Sequence, residues 1–222
     1  MSDDAFLDRL ASDLKPVQPL RLWPLWVIAV AGLVIGAVFV IMVYHPRPEL
    51  MAMAHGTMPQ NGFQAWMAVA KPLLFTIIGG SALAAAAGLV RPEGALQPKP
   101  LLPAAFMVLF ILMGLCFQFV TEEPGQVMTS LVGGNTLCMS TIVAGGAIGF
   151  TALWALWLRK SATSHPTALG ALTGLGMASL SAAAYAIHCN MDAPAYLLSV
   201  YGLAVAVFGA IGAFLGRRLL RW

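Results

Sequence analysis

Charge is scarce in this sequence. Of 222 residues only 9% are Asp, Glu, Lys or Arg, against about 25% in an ordinary soluble domain. Hydrophobic residues make up 59%, and the mean hydropathy is +0.83. Such a chain cannot be a soluble domain. Cysteine is scarce as well: Cys116, Cys138 and Cys189 are all there is, and no two of them form a CxxC redox motif. HExxH, a Walker loop and a carboxylate pair at catalytic spacing are missing too, so nothing marks an enzyme. No repeat of fixed period and no low-complexity tail appears. Asp, Glu, Arg and His are absent from the middle of every apolar run. Ion-coupled transporters place ionisable groups there, so transport is disfavoured.

What is present in quantity is apolar sequence, in runs of about 20 residues that read as membrane-spanning helices. Six occur, at about 22–44, 72–90, 101–120, 136–158, 167–187 and 194–216. The expected fold is all-α, a polytopic six-helix transmembrane bundle. The second span is expected to open at Pro72 in its first turn, where the missing N–H costs little. Lys71 is expected to snorkel at its outer end. Residues 1–21 form a separate cytoplasmic segment, and 22–222 the membrane domain. Twenty-one polar or mixed residues precede the first span, which is not the pattern of a cleavable signal peptide.

Six spans put both termini on one side. Ten basic residues then fall on the terminal side, and only Arg47 and Lys71 on the other. The positive-inside rule makes the terminal side cytoplasmic, in a bacterial inner membrane. Gly32/Gly36, Gly145/Gly149, Gly170/Gly174 and Gly212/Gly216 are small residues at helix-packing spacing, suited to a compact bundle or a homo-oligomer.

Outward segments are then 45–70, 121–135 and 188–193. Counted from residue 162, in the short turn between spans four and five, Cys138 lies 24 residues back and Cys189 lies 27 on. At about 1.5 Å per residue both reach a similar outer depth. A pair there can form a disulfide or bind a metal, or simply pack as small apolar side chains. Cys116, inside span three, reads as apolar filling. Asp192 reads as isolated, and Glu122-Glu123 as a solvated loop.

Two further stretches carry chemistry. In the N-terminal segment Phe6, Leu7, Leu10 and Leu14 share one face of an amphipathic helix, with acidic residues on the rest. A membrane-surface helix would favour Lys and Arg there, so a protein partner with a basic surface is expected, docked helix-in-groove. In the first outer loop Met51, Met53, His55 and Met58 form an M-x-M-x-H-x-x-M run. With His188 and the cysteines these are soft donors suited to copper or a similar ion, and they are also oxidisable groups.

The stretches "DRLASDLKPVQPLR", "GGNTLC", "AAAYAIHCNMDAPAYLLSVYGLA" and "LGRRLLRW" together resemble the NrsF-type membrane anti-sigma factors, over essentially the whole chain. The resemblance implies that the N-terminal segment sequesters an extracytoplasmic-function (ECF) sigma factor. It also implies that two extracytoplasmic cysteines, matched here by Cys138 and Cys189, sense oxidative or heavy-metal stress. The Met/His run is not part of that pattern. The alternative reading is a small membrane thiol redox enzyme or metal transporter, in which the cysteines turn over.

Overall fold

The computed structural model describes residues 20–57, 61–132 and 136–220. Phe6, Leu7, Leu10 and Leu14 of the expected docking helix, and Met58 of the first loop, lie outside the described residues. Six helices are long and apolar enough to cross a membrane. They are α1 (Trp23–Val43), α3 (Gly62–Gly88), α4 (Leu102–Thr121), α6 (Thr136–Leu156), α7 (Pro166–Ala186) and α8 (Pro194–Leu219). Two short helices, α2 (Pro48–Ala54) and α5 (Pro124–Val132), lie in the connections after α1 and α4. No strand occurs among the described residues, so the expected all-α six-span bundle is what forms.

The second span starts at Gly62 rather than at Pro72. Asn61 caps it, its side-chain oxygen accepting from the N–H groups of Phe63 (3.1 Å) and Gln64 (3.4 Å). Pro72 therefore sits inside a helix, where it removes one backbone hydrogen bond; transmembrane helices tolerate this when neighbours re-satisfy the freed groups. The longer helix carries Lys71 inward with it. Lys71 does not snorkel: it is 0% exposed.

The least apolar span, α7, is the most buried, whereas the strongly apolar α1 and α4 are the least. That order is the reverse of a soluble core, because lipid tails are as apolar as leucine and only close packing favours helix association. Accordingly α7 is built from small residues and is surrounded by α1, α3, α6 and α8. A Cβ on Gly170 would fall on the carbonyl oxygen of Gly212, and one on Gly176 would run into Leu83 of α3. Two of the glycine pairs noticed in the sequence, Gly170/Gly174 and Gly212/Gly216, thus face each other across the α7–α8 crossing.

The end of the bundle carrying residues 20 and 220 is the terminal end. It is closed by Trp157, whose indole donates to the Arg21 carbonyl (2.8 Å), and by Ser164, which donates to the Pro92 carbonyl (2.9 Å). The opposite, distal end gathers the segments after α1, α7 and before α6.

Candidate functional site

Cys138 stands in the first turn of α6 and Cys189 just past the end of α7. Both are free thiols, each 5% exposed. Their side chains are neighbours, each acting on the other electrostatically. The hydroxyl of Tyr185, one turn before Cys189, donates to the Cys138 sulfur at 3.2 Å. Tyr196 and Tyr201 of α8 also border the two sulfurs. They are five residues apart, and a π-helical turn at Leu197–Gly202, closed i→i+5, lets both face the pair with ring centroids 6.2 Å apart.

The chain around Cys189 is held by an ionic cluster that the sequence did not announce. Asp192 is not isolated. Arg47 grips it with both ends of its guanidinium, Nη1–Oδ1 3.1 Å and Nη2–Oδ2 2.8 Å, and its Nε donates to Glu49 at 3.0 Å. Lys71 Nζ donates to the carbonyl oxygens of Cys189 (3.2 Å) and Met191 (2.8 Å) and lies 3.6 Å from Asp192. It also rests 4.6 Å from the centre of the Tyr201 ring. The backbone N–H of Arg47 donates to the Ile187 carbonyl at 3.0 Å, and Nη1 reaches the Cys189 carbonyl at 3.5 Å. Two segments distant in sequence thus converge on residues 187–192. The available signal was the charge sorting: Arg47 and Lys71 are the only basic residues on their side of the bundle, and positive charge there needs a reason.

The Cys189 thiol sits just outside the spans, and its pKa is pulled well below the ordinary thiol range. The neighbouring Cys138 thiol contributes most, against burial, with the Lys71 charge, the Tyr201 hydroxyl and the Met191 backbone also favouring the anion. Around the same corner Gln118, buried in α4, accepts from the Ala195 N–H at 3.0 Å and donates to Glu122 at 2.8 Å. It supplies the cap that the α8 N-terminus lacks. Glu122 is therefore tied to α4 by Gln118 as well as exposed. A cleft of about 520 Å³ opens between α3 and α4 and is lined by Lys71 and Asp192 together with Trp66, Phe110 and Phe117.

The remaining expected residues are less central. His188 Nδ1 pairs with the His45 carbonyl at 2.9 Å, and its ring packs on Tyr44 and Tyr185, so it meets the thiols only through Tyr185. His45 itself has φ +62°, a left-handed turn that brings the chain from α1 to Arg47. Met51, Met53 and His55 are exposed, whereas the thiols are buried. Cys116 is exposed on α4. Among the described residues no three His, Cys, Asp or Glu side chains form a metal-holding group. The donor set is therefore a thiol pair with a cation, rather than a closed soft-metal site.

Comparison with known proteins finds similarity along nearly the whole chain. A model of the family described as NrsF, negative regulator of sigma F, matches residues 10–222. The anti-sigma-F factor NrsF of Caulobacter vibrioides (strain NA1000 / CB15N) is 28% identical over 232 aligned positions that cover the whole of both chains. No solved structure matches. With all six spans and both cysteines inside the matched region, the chain belongs to the NrsF family, the negative regulators of sigma F.

Proposed function

We propose that this anti-sigma factor holds an ECF sigma factor at the cytoplasmic face of the inner membrane and releases it when Cys138 and Cys189 are oxidised to a disulfide on the other side. Family membership supports the anti-sigma role. The observation that carries the sensing half is the contact between two buried free thiols contributed by neighbouring helices. Such a pair loses two electrons and two protons to a hydroperoxide, which leaves as alcohol and water. The new bond ties α6 to the end of α7, the central helix, and so biases how the bundle packs. The face made by Phe6, Leu7, Leu10 and Leu14 is the docking element for sigma. Among the described residues a soft metal such as copper would find the two sulfurs without His188, which is engaged with His45; this favours the redox branch.

The test is a sigma-dependent reporter in cells exposed to a hydroperoxide. Cys138→Ser and Cys189→Ser each keep repression and lose induction, and in the intact protein mass spectrometry finds two hydrogens fewer after stress. Induction that persists in either variant refutes the sensor assignment. Replacing Leu10 and Leu14 together by Asp abolishes co-purification of sigma; retention would displace the docking face.

A further inference from the structure

We infer that Lys71 is the residue that singles out Cys189 as the attacking thiol of the pair, leaving Cys138 as the thiol that resolves it. The inference rests on the redox reading above and adds an order of events and a positioning residue to it.

A buried ammonium requires anionic or strongly polar partners. Lys71 is fully buried, and two of its protons go to the carbonyls of Cys189 and Met191. The carboxylate within reach, Asp192, gives both oxygens to Arg47 at 2.8 and 3.1 Å and stands off from Lys71 at 3.6 Å. Glu49 also belongs to Arg47. Counted over the cluster, two carboxylates match two cations, but the short contacts of both carboxylates go to Arg47, and Lys71 keeps only the longer one to Asp192. The group left to face Lys71 is the Cys189 sulfur, which it influences electrostatically while holding the carbonyl of the same residue. Among the described residues Cys138 meets no cation; its neighbours are Cys189 and the hydroxyls of Tyr185 and Tyr196. The pair is therefore asymmetric: an anion-stabilising carbonyl clamp and ammonium on one sulfur, phenols on the other. The lowered pKa of Cys189 described above agrees with this.

The chemistry closes. The Cys189 thiolate attacks a hydroperoxide oxygen; a sulfur–oxygen bond forms, the O–O bond breaks, and the leaving alkoxide or hydroxide takes up a proton. The Cys138 sulfur then attacks the sulfenic sulfur, the S–O bond breaks, and water leaves with the Cys138 proton. Two thiols and one hydroperoxide give a disulfide, an alcohol and water.

The experiment follows alkylation by iodoacetamide across pH in the full-length protein in detergent. Site-resolved mass spectrometry reads each cysteine, and exposed Cys116 serves as an internal reference. Groups that face the pair and titrate are Lys71, Asp192, Arg47 and Glu49 in the cluster and Tyr185, Tyr196, Tyr201 and His188 beside it. In the wild type Cys189 is modified before Cys138, with a midpoint below that of a free thiol at about 8.5. Lys71→Met raises that midpoint by at least about one unit, so modification at any pH below the wild-type midpoint slows about tenfold. Lys71→Arg, which keeps the charge, restores the low midpoint. An unchanged midpoint in Lys71→Met, or Cys138 reacting first in the wild type, overturns the inference; the second readout needs no variant to fold. The reporter separates this from the sensor reading. If the midpoint shifts but cysteine variants still induce, only the sensor reading fails. If the cysteines are required but the midpoint stays, only the role of Lys71 fails.

Discussion

Arg47 and Asp192 show how much one residue can organise when water is absent. Their side chains are 0% and 7% exposed, and removing one partner of such a pair leaves the other charged and unpaired, at a cost of about 3–5 kcal/mol. Asp192→Asn is therefore expected to lower the thermal midpoint sharply in detergent. Glu49, at 15% exposure, meets Arg47 from the rim, and Glu49→Gln is expected to shift the midpoint by no more than a surface pair would, about 0–1 kcal/mol. Equal losses from the two variants would mean that Arg47 draws evenly on both carboxylates. At this scale the sequence was half legible. The cysteines could be matched in depth because helix rise is fixed, so counting residues measures height. Asp192 could not be matched to Arg47, 145 positions away, because loop charge patterns give orientation and say nothing about which charges meet.

At the level of helices, the decisive features are small residues and one proline. Gly170 meets the Gly212 backbone with no room for a side chain, whereas Gly80 in α3 has nothing within 4 Å. Gly170→Leu should destabilise the bundle by at least about 1–3 kcal/mol, seen as a lower thermal midpoint or poor accumulation. Gly80→Ala should leave it unchanged within about 1 kcal/mol. The glycine spacing was readable because close approach has a periodic signature. The start of α3 was not, because Lys71-Pro72 looks like an interface followed by a first helical turn. What decides the matter is the Asn61 cap further back and the partners waiting at Cys189, Met191 and Asp192, which give a buried lysine somewhere to go. The π turn in α8 left no trace in the sequence pattern, since its apolar residues satisfy either winding.

Across the whole molecule, α1 links the two ends. Its terminal end continues into the N-terminal segment. Its distal end runs through Tyr44, which shares a hydrogen bond with Thr141 of α6 at 3.3 Å and packs on Tyr185 at 5.9 Å, and then through His45 to Arg47. Alongside, α1 packs on α6 and α7 but is among the least buried spans, so it can shift without emptying a core. Arg47→Met should then separate chemistry from output: the disulfide still forms by mass spectrometry, while release of sigma in the reporter is blunted. Normal release in that variant would place the transmission route elsewhere.

Burial of the sulfurs would also set the tempo of the proposed thiol switch. A pair each 5% exposed and bordered by tyrosines leaves no room for the active face of a thioredoxin-like reductase, whose sulfur must approach in line with the bond it breaks, whereas a peroxide needs far less space. Oxidation then answers to the concentration of a diffusible molecule. Reversal instead waits for the bundle to open locally or for a new copy to be made. A switch of the proposed kind would act as a timer, recording that an insult occurred and keeping the record after the oxidant is gone.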